Sequence, residues 1–140
     1  MRILRVDMTN LAIRWETVPE KYEHFGGRGL IASVLLEEVP PLCDPLGPHN
    51  KLILAPGLLG GTSASSSGRL SVGGKSPLTG GVKEANSGGT TGLQLAMLGI
   101  KALILEDWPP DKGLSVLVVN MDGIRFEPAD DLAGKGVYET

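Results

Sequence analysis

The sequence predicts an α+β fold: mixed β-sheets with few helices. Three observations carry this expectation. Runs of strand length, apolar or alternating, outnumber stretches with helical spacing; turn residues separate them at short intervals; and regular alternation of strand and helix is missing. Leu, Ile, Val and Phe supply 40 of the 140 residues, enough for one core, so residues 1–140 are expected to form a single domain.

In chain order, Arg2–Val6 and Leu11–Trp15 alternate in character around Asp7–Asn10 and predict an N-terminal hairpin. Pro19 and the acids after it open a short helical turn that ends at Gly26-Gly27. Leu30, Ile31, Val34 and Leu35 share a face of a helix from about Gly29 to Glu38, which Pro40-Pro41 stops. Cys43–Asn50 is turn chemistry. Lys51–Ala55 predicts a buried strand and Arg69–Val72 another. Leu93, Ala96 and Met97 predict a second helix over Thr90–Leu98, with Gly99 as its C-terminal cap. Ala102–Glu106 is a further strand, and Ser115–Asn120 with Ile124–Glu127 form a second hairpin around Met121-Asp122-Gly123.

Composition excludes several functions. A net charge of −3 argues against a general nucleic-acid binder. One cysteine, Cys43, excludes an intramolecular disulfide and a cysteine-only metal or iron–sulfur site within these residues. No apolar run reaches the length of a membrane span and the N-terminus lacks a signal-peptide pattern, so a soluble cytoplasmic protein is expected.

Glycine is the anomaly. Twelve of the twenty glycines lie between Gly57 and Gly99, and Ala55–Ile100 contains only Arg69, Lys75, Lys83 and Glu84 as charged residues. A glycine-rich, almost acid-free segment in an acidic chain suits an anion approached by backbone; tight turns in a β-rich protein are the alternative. Gly68–Ser76 is not a phosphate loop: Arg69 stands where G-x-x-x-x-G-K-S/T requires glycine, and Pro77 follows at once. Gly27–Ala32 fits G-x-G-x-x-A, but no strand precedes it, so close packing of a helix start explains it better. His24, His49 and Cys43 lack ligand spacing, and Ser63 and Ser65–Ser67 lack a nucleophile elbow. No catalytic residue and no metal ligand is assigned. What survives is Asn86 or Ser87 as cap of a helix whose free N–H groups, near Gly88-Gly89, face an anion, with Arg69 adding a guanidinium from the neighbouring strand. An ordinary capped helix beside a surface arginine is the alternative.

Six motifs then occur in one order: Gly26-Gly27-Arg28-Gly29-Leu30, Asp44–Pro48 with Asn50-Lys51-Leu52, Ser67-Gly68-Arg69, Lys75–Gly80, Ala85–Gly89 and Gly134-Lys135. In series they resemble the N-terminal domain of the tungsten-containing aldehyde:ferredoxin oxidoreductase family, from about Arg2 to the last residue. The resemblance implies an α+β saddle carrying a tungsten (or molybdenum) bis-pterin, contacted by Arg69, Asn86 and Gly88. Asn86 would also help organise a magnesium ion joining the pterin phosphates. The full enzyme would oxidise an aldehyde to a carboxylic acid and pass electrons to ferredoxin. Two departures stand out: Pro56–Thr62 is one residue longer than the family's G-P-L-T-G-T, and Thr90-Thr91 replace the aromatics that often follow S-G-G.

The family's domain runs on into a second pterin-holding segment, and later domains carry an iron–sulfur cluster and the acid/base residues. Residues 1–140 are therefore expected to be truncated relative to that domain and to need the remaining domains, or a split-enzyme subunit, for catalysis. By themselves they would expose apolar surface and form a homo-oligomer. The alternative function is a stand-alone, non-catalytic module that binds a pterin or another anion, or assembles with itself.

Overall fold

The computed structural model describes residues 1–107 and 113–140. Contacts divide the chain into two compact units, Met1–Trp108 and Pro109–Thr140. The first is built on a six-stranded sheet, with β1 (Arg2–Asp7), β2 (Ala12–Thr17), β3 (Lys51–Pro56), β4 (Leu70–Lys75), β5 (Val82–Ser87) and β6 (Ile100–Glu106) in the spatial order β2-β1-β6-β3-β4-β5. Only β1 and β6 are parallel; the remaining pairs are antiparallel, which makes the sheet mixed as the sequence predicts.

The β1–β2 hairpin turns on Asp7, whose Oδ1 accepts from the backbone N–H groups of Thr9 (2.8 Å) and Asn10 (3.0 Å). The helical turn after Pro19 is a single 3-10 turn, Glu20–Tyr22. Helix α1 (Gly27–Glu38) begins two residues earlier than its spacing suggested, and Pro40 follows its last turn. Its apolar face is the expected one: Leu30, Ile31, Val34 and Leu35 pack on Ile3, Ile53, Ala55, Ala102 and Ile104 of the sheet. Each fully buried aliphatic side chain there contributes roughly 1.5–3 kcal/mol. The helix comes close to β4 because Gly73 has no side chain; a Cβ there would lie 2.8 Å from Ile31 Cγ2.

Two expectations change. Val82–Ser87 is an edge strand that the sequence reading did not assign. All its residues but Glu84 are exposed, so it carries no alternating signal. Helix α2 (Thr91–Met97) buries Gly92, Leu95 and Ala96 rather than Leu93, Ala96 and Met97, and Met97 is exposed. Gly99 does follow it in the left-handed region, at φ +77°.

The second unit contains the antiparallel hairpin β7 (Ser115–Asn120) and β8 (Gly123–Pro128). Asn120 Oδ1 accepts from the N–H groups of Asp122 (3.0 Å) and Gly123 (3.1 Å) across its turn. A 3-10 turn, Asp130–Leu132, follows, and Asp130 Oδ1 accepts from Leu114 N (2.9 Å) rather than being a purely solvated acid.

A buried charge ties four elements of the first unit together. Arg5 on β1 makes a bidentate pair with Glu38 at the end of α1 (2.8 and 2.7 Å). It also reaches Glu16 on β2 (2.7 Å) and Glu106 on β6 (2.9 Å). Lys51 on β3 adds a contact to Glu106 at 2.5 Å. Burial disfavours a charged guanidinium, but hydrogen bonds to Glu38 and Glu16 outweigh it and raise the Arg5 pKa above its ordinary value. For Glu38, burial pushes the carboxyl up, and the Arg5 hydrogen bond and charge more than reverse this, holding it below its ordinary value. That depressed pKa adds stability above the unfolded-state carboxylate value, and the gain is lost as pH falls through the lower native value. Arg5→Met is expected to cost about 3–5 kcal/mol, because carboxylates are left without their buried partner. It should also flatten the acid limb of stability against pH, measured as urea midpoints.

Candidate functional site

The residues singled out from the sequence converge at one end of the β4–β5 pair. Arg69 immediately precedes β4, and Asn86 lies in β5 opposite Ser71. The backbone of Arg69 continues the sheet, its carbonyl accepting from Gly57 N at 3.2 Å. Its guanidinium Nη1 donates to Asn86 Oδ1. Both side chains are exposed, and among the described residues no carboxylate pairs with Arg69. Gly88 follows β5 directly, and a Cβ at Gly88 or Gly89 would meet nothing within 4 Å. Gly89 is in the left-handed region at φ +103°, so the chain leaves the strand by a turn that favours glycine.

One part of the sequence reading is corrected. Asn86 and Ser87 are not helix caps: they complete the ladder with Ser71 and Leu70, and α2 starts later, after Thr90. Thr90 makes no capping bond through its side chain, and α2 has seven residues. The cross-strand hydrogen bonds of β4 therefore claim Asn86 and Ser87 before a helix can. The candidate group is a strand end rather than a helix start: a guanidinium, a side-chain amide and open glycine backbone.

The donor set fits an anionic, polar ligand. Arg69 and Asn86 retain N–H groups beyond their mutual bond, and the guanidinium suits phosphate or a planar heterocycle. The sequence marks Glu84 only as the one acid of its segment; in the structure it lies two residues before Asn86 on the same side of β5. One of its carboxylate oxygens, Oε1, is buried without a hydrogen bond. Its place in an unassigned edge strand concealed that position.

Much of the glycine excess has a different use. A Cβ at Gly26 would lie 2.4 Å from Leu58 N, and one at Gly74 2.6 Å from the Lys51 carbonyl. These glycines let backbone pack on backbone, and the start of α1 at Gly26-Gly27 is the close-packed helix start that the sequence suggested. Gly88 and Gly89 leave backbone open beside Asn86, as Gly80 and Gly99 do elsewhere in the first unit. Lys75 serves the fold as well, its Nζ donating to the carbonyls of Pro41 and Cys43, both at 2.6 Å. A groove of about 680 Å³, lined in part by Leu46, Leu52, Leu78 and Lys83, does not include Arg69, Asn86 or Gly88. Among the described residues no group of His, Cys, Asp and Glu is placed to hold a metal ion, and no helix is long and apolar enough to cross a membrane.

Residues 3–140 match the family model of the aldehyde ferredoxin oxidoreductase N-terminal domain. The chain belongs to this family. It is 40% identical over 141 residues to the tungsten-containing aldehyde ferredoxin oxidoreductase of Thermococcus kodakarensis, covering 99% of this chain and 23% of that protein. The enzyme of the same name from Pyrococcus furiosus gives the same identity and coverage. The chain thus spans under a quarter of the length of these relatives. Among solved structures it is similar to the active-site complex BamBC of benzoyl coenzyme A reductase in complex with 1,5-dienoyl-CoA. The TM-score is 0.90 at 35% identity, over 99% of this chain and 21% of the other. The aldehyde ferredoxin oxidoreductase N-terminal fold is therefore the mixed sheet described above.

The Arg69–Asn86 bond is exposed and adds little to stability. A double-mutant cycle with Arg69→Ala and Asn86→Ala is expected to give a coupling below about 1 kcal/mol in thermal unfolding. A larger coupling would make the pair structural.

Proposed function

We propose that this chain is the metallopterin-binding part of an aldehyde ferredoxin oxidoreductase-like enzyme that oxidises an aldehyde to a carboxylic acid. The observation that carries the reading is the joining of Arg69 to Asn86 beside the open backbone of Gly88, within a family whose curated relatives are tungsten-containing. A tungsten (or molybdenum) bis-pterin, when bound, supplies the two-electron chemistry. The chain's own residues bind and orient. The Arg69 guanidinium would meet negative charge and donate to polar edges, and the Asn86 amide beside it would help hold a magnesium ion that accompanies the cofactor. Gly88 keeps backbone accessible, with no protein atom within 4 Å of where a side chain would begin. Glu84 is the only acid between Ala55 and Ile100, and Arg69, Lys75 and Lys83 leave that segment with a net positive charge.

Similarity to both an aldehyde oxidoreductase and a benzoyl coenzyme A reductase supports placing substrate choice outside this domain. The remaining domains, an iron–sulfur cluster and ferredoxin as electron acceptor complete this reading. The protein acts in the cytoplasm. In the assembled enzyme, Arg69→Ala combined with Asn86→Ala is expected to lower tungsten and pterin content with the fold intact. Unchanged content, measured by metal analysis and pterin fluorescence, would overturn the assignment.

Apolar side chains exposed on the first unit, Leu36, Leu42 and Leu78 among them, suit burial by further domains or by another copy. The 140 residues alone are expected to self-associate. Light scattering coupled to size exclusion should then read a mass above 14.7 kDa, and a clean monomer contradicts the expectation.

A further inference from the structure

The two halves of the candidate site come from separate segments. Arg69 ends the long connection after β3, whereas Asn86 and Gly88 belong to β5 and the turn that follows it. Two glycine contacts join these segments. A Cβ on Gly68 would lie 2.9 Å from the Gly89 carbonyl oxygen. On α2, a Cβ on buried Gly92 would lie 2.6 Å from the Gly68 oxygen, 2.8 Å from the Arg69 oxygen and 2.9 Å from the Arg69 carbonyl carbon. All these neighbours are backbone atoms, which cannot swing aside as a side-chain tip can. The Arg69 carbonyl is also held from the sheet side by Gly57 N–H, so a push from Gly92 cannot be absorbed without disturbing that bond. Neither Gly68 nor Gly92 has positive φ, so tight approach rather than backbone conformation is what calls for glycine there.

We propose that Gly92, with Gly68, is a positioning residue of the cofactor site: the missing side chains let α2 clamp the Arg69 backbone against the Gly88-Gly89 turn and set the spacing of the two ligand-bearing segments. This rests on the assignment of Arg69, Asn86 and Gly88 to that site. A methyl group at residue 92 moves α2 away from Arg69 or drives Arg69 away from α2. Either way the Arg69–Asn86 pair changes geometry, although neither side chain has been altered.

The test uses the assembled enzyme with residues 1–140 segmentally ¹⁵N-labelled, and the Arg69 Nε–H and Asn86 Nδ2 side-chain resonances as readout. Gly92→Ala is expected to shift both, while amide signals of the distant β1–β2 hairpin stay in place. Gly68→Ala, which presses on the Gly89 carbonyl from the other segment, should do the same. Leu95→Ala loosens the packing of α2 without pressing on Arg69 and should leave both side-chain signals nearly unmoved. Unshifted Arg69 and Asn86 signals in Gly92→Ala, or equal shifts in Leu95→Ala, would overturn the clamp. Unfolding of both glycine variants would also overturn it, since the glycines would then be requirements of the fold and not of the site. Tungsten and pterin content of the assembled enzyme carrying Gly92→Ala gives the second readout, and it is expected to fall. Shifted resonances with unchanged cofactor content would overturn Gly92 as a positioning residue of the cofactor site, while the assignment of Arg69 and Asn86 stands or falls on their own alanine variants.

Discussion

Backbone lying against backbone, closer than a single Cβ permits, is the constraint on which the first unit depends. Gly73 lets α1 settle on β4, Gly26 lets the start of that helix meet the loop after β3, and Gly92 lets α2 meet the chain entering β4. Each contact replaces a side chain with close packing, and each has an entropic cost, because glycine loses more freedom than other residues on folding. The cost is concentrated in Gly57–Gly99, which holds β4, β5, α2 and the candidate site. The glycine excess and the site therefore share one cause only in part. Most of these glycines shape the platform, and Gly88-Gly89 open it.

Electrostatics divides along the same sheet. At one end of β1 and β6, Arg5 is enclosed by Glu16, Glu38 and Glu106, and its charge is consumed within the fold. At the far edge, Arg69 faces solvent beside an amide, with no carboxylate partner among the described residues. The same residue type thus does two jobs, decided by whether acids were placed within reach. A buried arginine with three carboxylates is a strut; an exposed one in an acid-poor segment is available to a ligand.

Much of this was legible in the residues. The hairpins at Asp7 and Asp122-Gly123, the apolar face of α1 and the strands from Lys51 and Ala102 follow from local periodicity and turn chemistry, which act over a few residues. Arg69, Asn86 and Gly88 were visible as a candidate donor set in a stretch whose one acid is Glu84. The edge strand β5 was not, because an exposed edge strand has no alternating pattern to reveal it, and Asn86 was consequently misread as a helix cap. Leu93 and Met97 drew attention to a face of α2 that is not its buried one. The buried face contains Gly92, and glycine carries no hydrophobic signal.

By itself the sequence determined the fold class, most of the elements and the family, since all of these depend on local pattern or on motifs in order. Only the tertiary structure decided that Asn86 and Ser87 end a strand rather than start a helix, and which glycines are open and which meet neighbouring backbone. The physical reason is that β pairing and close approach are non-local. Asn86 takes its conformation from Ser71, fifteen residues earlier in the chain, and Gly92 takes its meaning from the carbonyl of Arg69.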